Sequence, residues 1–151
     1  MKAIRNRVLR AVYRAGYPLA RWYWRRAQPE KTGVKCVITR DPEVLLVRHT
    51  YGPETRWELP GGGVKRREEP RAAARREAHE ELGVDIEDWR PLGDMFERIV
   101  GKRDTLWCYT APAGDREIVI DGTEIAEARW FRRDELPADV HGYVSRILAL
   151  S

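Results

Sequence analysis

Cysteine is scarce: the 151 residues contain two, Cys36 and Cys108, far apart and each in an apolar, strand-like run. That spacing offers neither a disulfide framework nor a Cys-x-x-Cys metal site. Two buried, reduced thiols and a cytoplasmic address are the expectation. Long apolar runs are missing as well, and no stretch approaches the ~18 to 20 residues of a membrane-spanning helix, which excludes a membrane span. Acidic residues are absent from positions 1–29, which hold eight basic ones. Within that arm Arg5, Arg7, Arg10 and Arg14 interrupt the apolar centre that a secretory signal needs, so the arm is expected to be retained. Internal repeats and low-complexity linkers are lacking too.

What is present suits one globular domain with a real core: 42% hydrophobic and 34% charged residues. The net charge of +4 hides an asymmetry, because 20 basic residues face 24 acidic ones beyond residue 29. Residues 1–32 read as a basic amphipathic arm, with Ile4, Val8, Leu9, Val12 and Tyr13 at helical spacing among arginines, a break at Gly16 and Pro18, and aromatics at Trp22, Tyr23 and Trp24. Its apolar side is expected to cover a domain surface or a second copy of the chain, as in a homodimer. Contact with nucleic acid or an anionic membrane surface stays open.

Residues 33–151 form the domain proper. Val34 to Thr39 and Glu43 to Arg48 predict a hairpin around Asp41-Pro42, with a loop somewhat longer than the tightest type. Trp57-Glu58-Leu59 reads as a short strand stopped by Pro60 and the glycines after it. The strongest helix covers 70–82, with Pro70 in its first turn, Ala72-Ala73-Ala74 inside it and Gly83 as a left-handed cap. Further strands are expected near 94–100, 105–111, 117–120 and 124–131, and a last helix from about Val140 to Leu150. Strands mixed with two helices predict an α/β domain with a mixed sheet.

On the predicted helix Glu77 has Glu80 and Glu81 at i+3 and i+4, so three carboxylates share one face within about a turn. Exposed, they repel weakly; in a partly desolvated cleft one of them is driven to protonate unless a cation intervenes. A hard divalent ion that takes oxygen ligands and substrate phosphates answers that need. Alone, such a segment is usually a solvated helix face. Seven identities at fixed spacing (Gly62, Glu68, Arg76, Glu77, Glu80, Glu81, Gly83) reverse the odds, since chance gives them at about 10⁻⁵ for this composition.

The run from Gly62 to Val84, Gly-x5-Glu-x7-Arg-Glu-apolar-x-Glu-Glu-x-Gly-apolar, resembles the Nudix box at every specified position. The likeness extends to Trp57-Glu58-Leu59-Pro60-Gly61-Gly62 before it and to Ala128-Arg129-Trp130-Phe131 and Asp134-Glu135-Leu136-Pro137 after it. The resemblance implies an α/β/α sandwich around a mixed, curved sheet, and a hydrolase that cleaves a diphosphate bond in a nucleoside diphosphate linked to another moiety. By the same resemblance Glu77, Glu80 and Glu81, with the carbonyl of Gly62, are expected to hold Mg2+, or Mn2+ in its place. Glu68, Arg76 and Gly83 are expected to support the box.

The box leaves the general base open between Glu81 and Glu124, with Glu127 and Asp121 as rivals; Glu80 and Glu81 are catalytic candidates through the metal. His79 fills an unconstrained slot and Trp57 reads as core. Arg48, Tyr51 and Trp107 are candidate substrate contacts, the aromatics as stacking surfaces. A small nucleotide or nucleotide sugar is the expected substrate. Two other readings are an RNA 5′-end pyrophosphohydrolase or decapping enzyme, suggested by the arm, and a nucleotide-sensing module without chemistry, against which the three intact glutamates argue.

Overall fold

The computed structural model describes residues 30–51, 56–99, 102–120 and 122–151, together with Gly16. Residues 1–29 other than Gly16, which make up nearly all of the expected arm, and Asp121 therefore lie outside the described residues. Strand β1 (Glu30–Arg40) opens before the change of texture at Gly33. It is followed by β2 (Glu43–His49), α1 (Pro70–Leu82), β3 (Arg90–Ile99), β4 (Lys102–Pro112), β5 (Ile125–Arg132) and α2 (Gly142–Leu148). The five strands form one mixed sheet in the order β3-β4-β1-β2-β5, in which β1 and β4 are parallel and the other pairs antiparallel.

Two apolar layers hold the helices to opposite faces. Alternation along β1 sends Val34, Cys36 and Ile38 toward Ala73, Ala74, Ala78 and Leu82 of α1, while Val37 meets Tyr143, Val144 and Ile147 of α2. A strand buried on both faces explains why β1 reads as a nearly continuous apolar run. This is the expected sandwich. Both thiols are buried and unpaired, and Trp57 is core, edge-on to Phe131 with ring centroids 4.8 Å apart.

β1 and β2 pair directly only at their hairpin end, through Thr39↔Val44 and Arg40↔Glu43. Beyond that they part, and the segment 57–64 fills the gap. On one side Glu58 exchanges two 2.9 Å hydrogen bonds with Val47 of β2. On the other, the carbonyls of Pro60 and Gly62 accept from Cys36 and Val34 of β1, each at 2.9 Å. Trp57-Glu58-Leu59 thus makes isolated bridges, to Val47 and Val140, rather than a strand of its own. The glycine loop is wedged inside the sheet, directly beneath α1.

Four expectations need correction. The first hairpin has the shortest kind of loop, Asp41 and Pro42 alone, joined by a cis peptide. Residues 117–120 form no strand: Ile118 and Ile120 do point into the core, but the Val119 amide bonds to Leu82 O at 2.8 Å, so the partner is the end of α1. β3 starts at Arg90, because a bulge between Pro91 and Gly93, with Gly93 at φ 123°, lets an edge strand absorb residues that read as a turn. α2 starts only at Gly142, since Asp139 and His141 are tied to Trp57 in an extended bridge.

Candidate functional site

α1 ends as its sequence demands. Gly83 adopts φ 68° and its N–H donates to His79 O at 3.0 Å, and a Cβ there would meet Val119 O at 2.9 Å, so only glycine fits. With the register fixed, Glu77 and Glu81 face inward and are buried at 9% and 4% exposure, whereas Glu80 is half exposed. Glu81 Oε2 accepts the Gly61 N–H at 2.9 Å. Gly62 leaves room for Glu77: a Cβ on it would lie 2.6 Å from the carboxyl carbon and Oε1. Gly61 is at φ 136°, and a Cβ there would overlap the Val34 carbonyl oxygen.

Arg76 is the hub of the box. Its Nε and Nη2 grip Glu68 at 2.7 and 2.9 Å, Nη1 reaches Glu77 at 2.7 Å and Glu80 at 3.1 Å, and Nη2 also donates to Gly63 O at 2.9 Å. Glu68 in turn accepts the Lys65 N–H at 2.8 Å. Loop and helix are locked together by one guanidinium. The hydrogen bond from Arg76 holds the Glu68 carboxyl down to about 2, while burial pushes Glu77 up against the pull of Arg76. Glu81 has no such guanidinium. Burial drives its carboxyl up to about 8, opposed by the Gly61 amide and the charge of Lys35.

Glu124 is brought to this cluster, and its charge acts on Glu77, Glu81 and Tyr51. Its carbonyl accepts the Thr50 N–H at 2.8 Å, and Thr50 Oγ1 donates to Thr123 O at 2.7 Å, which pins the segment ahead of β5 to the end of β2. Tyr51 sits beside it, its ring 5.2 Å from that of His49 and its hydroxyl pushed up by burial and by Glu124. Glu127 pairs instead with Arg129 at 2.5 Å and Arg48 at 3.7 Å. Arg48 lies 4.4 Å over the Trp57 ring and pairs with Asp139, so its contacts are structural rather than with the glutamates of α1. Trp107, 37% exposed, stands on β4 opposite Val34, one strand from the glycine loop. His79 is exposed, as its slot suggests.

A buried polar group beneath the loop escaped the sequence reading. Lys35 Nζ, on a side chain 9% exposed, reaches Glu58 Oε2 at 3.3 Å and Leu59 O at 3.2 Å, and Tyr143 OH donates to the same Glu58 oxygen at 3.0 Å. Burial opposes the charges, but Tyr143 and Glu58 hold the Lys35 ammonium above its usual range, and Lys35 and His49 hold Glu58 below its own. Burial lowers His49, so its 3.8 Å approach to Glu58 at neutral pH is that of a neutral ring. A lysine inside the apolar run Val34-Lys35-Cys36-Val37 was the available signal.

Among the described residues no three His, Cys, Asp or Glu side chains converge closely enough to hold a metal ion, because Glu80 is turned to Arg76 and Lys65. The donor set still fits a hard divalent cation. Every donor is oxygen, two of the carboxyls are buried and driven toward protonation, and the missing side chain of Gly62 lets the Glu77 carboxyl lie against the loop backbone. The carbonyl of Gly62 spends one lone pair on Val34 and retains the other.

The profile of the NUDIX domain matches residues 29–149, which include all of this site. The chain belongs to the Nudix family. Among its relatives, the human diphosphoinositol polyphosphate phosphohydrolase 3-beta is 37% identical over 98 residues, covering 64% of this chain and 58% of that protein. The m7GpppN-mRNA hydrolase dcap-2 of Caenorhabditis elegans is 29% identical over 136 residues, or 88% of this chain and 17% of that one. The chain thus spans less than two thirds of the length of these curated relatives. A solved structure, the MutT NUDIX hydrolase from Burkholderia pseudomallei, matches with a TM-score of 0.74 at 27% identity, over 81% of this chain and 98% of that one. Nudix hydrolases generally need a divalent metal ion, and among the described residues no helix is long and apolar enough to cross a membrane.

Proposed function

We propose that this Nudix chain is a metal-dependent hydrolase that cleaves a diphosphate bond in a small phosphate-containing substrate, by attack of water on phosphorus. The observation that carries this reading is the pair Glu77 and Glu81, buried side by side under Gly61 and Gly62 with their carboxyls raised by burial. Buried acids in a cleft of this kind are costly for stability and suited to chemistry. Glu77, Glu80 and Glu81, with Gly62 O, would hold Mg2+, or Mn2+ in its place. When bound, the cation supplies charge neutralisation on the phosphoryl oxygens and polarises the attacking water.

The chain's own groups do the rest. The Gly61 N–H fixes Glu81, and Arg76 fixes Glu77 and Glu80 through the same guanidinium that anchors Glu68. Either Glu81 or Glu124 takes the proton as the new P–O bond forms and the bridging P–O bond breaks. Glu127 is weakened as a rival by its two arginines. Tyr51 and Trp107 flank the site as substrate contacts, and the committed guanidinium of Arg48 makes it the weakest of the three candidates. A nucleoside diphosphate linked to another moiety is one substrate class; the match to a diphosphoinositol polyphosphate phosphohydrolase adds a second. The two buried thiols suit a cytoplasmic setting.

A product screen over nucleotide sugars, dinucleoside polyphosphates, nucleoside triphosphates, diphosphoinositol phosphates and capped RNA tests the reading, with Mg2+ or Mn2+. Wild type is expected to cleave at least one class, and Glu80→Gln and Glu81→Gln to cut its turnover by about 10² or more. Equal rates for wild type and variants on every substrate would overturn it. The similarity to dcap-2 and the basic arm favour an RNA 5′-end substrate as the second reading. That reading requires salt-sensitive RNA binding that disappears when residues 1–29 are deleted.

A further inference from the structure

The turn that joins the glycine loop to α1 carries three consecutive basic residues, Lys65, Arg66 and Arg67. The Glu68 N–H closes it on Lys65 O at 3.0 Å, which puts Arg66 and Arg67 at its two central positions. Arg67 has φ 64° and is the one non-glycine residue in the left-handed region among the described residues. Glycine or asparagine takes that conformation readily; arginine does so under strain.

Strain held at a site calls for a reason beyond folding. Both arginines are exposed, and among the described residues neither makes a hydrogen bond or ion pair. Their neighbours are differently placed: Arg75 is paired with Asp85 and Glu87, and Arg76 with Glu68, Glu77 and Glu80. Glu68 is spent on Arg76, and exposed Glu69 pairs with neither arginine. Two unpaired guanidiniums at one turn are notable where, beyond residue 29, 20 basic residues face 24 acidic ones. The turn is also tied to the site, since Lys65 Nζ lies 3.9 Å from Glu80 Oε1 and Lys65 N donates to Glu68. With consecutive Cα atoms about 3.8 Å apart, Arg66 and Arg67 spring from backbone within about 8 Å of Lys65 Cα.

From this geometry we propose that Arg66 and Arg67 form a second phosphate subsite, so that the preferred substrate carries phosphate groups beyond the diphosphate that is cut. The proposal rests on the hydrolase reading and narrows it. A guanidinium fork matches phosphate oxygens two at a time, and a pair of them on a rigid turn selects for clustered phosphates. That cluster is either a longer polyphosphate chain or a polyol ring bearing several phosphates.

Steady-state rates of the full chain on three probes test it. ADP-ribose has only the scissile diphosphate, diadenosine tetraphosphate extends the chain, and a diphosphoinositol pentakisphosphate presents the ring. Arg67→Gly and the double variant Arg66→Gln/Arg67→Gly remove the charges, and the glycine suits the turn, so melting temperatures are expected to stay level or rise. The double variant is expected to lose about tenfold or more in kcat/KM, mainly through KM, on at least one phosphate-rich probe. ADP-ribose turnover changes less than about twofold. Which probe responds identifies the source of the phosphates. A uniform change across the probes, no change, or cleavage of ADP-ribose alone overturns the subsite and leaves the hydrolase reading standing. Cleavage of none of the three by wild type overturns the subsite, and the hydrolase reading is then decided by the wider product screen.

Discussion

In the proposed mechanism Glu81 concentrates the conflict between stability and chemistry in one side chain. Its ordinary carboxyl value of 4.5 applies in the unfolded chain, and burial raises it to about 8 in the folded one. Between those values the folded state binds the extra proton, so stability falls as pH climbs from about 4.5 to about 8 and stays low above it. Glu81→Gln, which is neutral throughout, is therefore expected to melt higher than wild type at pH 9 in a chelator, by a few kcal/mol at most on an order-of-magnitude scale. The gap should close toward pH 5. A gap of the same size at both pH values in thermal melts contradicts the assignment. Arg76 works in the opposite sense, since it keeps the Glu68 carboxyl ionised down to about 2. Arg76→Lys loses the fork that grips Glu68 and still reaches Glu77 and Glu80, so turnover should fall by about tenfold or more with the fold retained. Unchanged kcat in that variant would show that the guanidinium is dispensable.

At the scale of elements, the wedge of residues 57–64 between β1 and β2 sets the glycine loop against Glu77 and Glu81. Its two glycines make different demands. A Cβ at Gly62 meets first the carboxyl end of Glu77, whereas one at Gly61 meets backbone at Val34 and a strained φ besides. Gly62→Ala is accordingly predicted to fold with nearly wild-type stability while losing most activity. Gly61→Ala is predicted to destabilise by about 2 kcal/mol or more. Denaturant titration beside an activity assay separates the two, and equal stability loss in both is the contrary result. The Lys35–Glu58 pair holds the wedge from below, and breaking it with Lys35→Met should destabilise by about 1–3 kcal/mol, because the partly buried Glu58 loses its cation and keeps only the Tyr143 hydroxyl. Replacing both partners by apolar residues should recover much of that loss.

Sequence made α1 legible to the residue, because Pro70, the alanines and Gly83 act through local backbone rules. It misled at 117–120, where real alternation served a helix end instead of a strand, and at Arg90–Gly93, where a bulge hides strand behind proline and glycine. The wedge between strands was beyond it, since nothing local in Trp57-Glu58-Leu59 tells that two neighbouring strands have parted.

For the whole molecule, the box could be read as chemistry because its spacing places acids on one helical face, and the sheet then buries Glu77 and Glu81 while leaving Glu80 at the rim. That Glu80 stands apart from the other two was not legible, since Arg76 competes for Glu77 and Glu80 through contacts that only the folded loop creates. The proposed chemistry requires that these carboxylates take a divalent cation. The most direct measurement is a titration with Mn2+ at pH 8.5, followed by the loss of its free electron-spin resonance signal, in wild type and in Glu77→Gln/Glu81→Gln. Saturable binding by wild type, and its loss in the folded double variant, is the predicted result. Equal binding by both proteins, or none by wild type even with a nucleotide present, contradicts it.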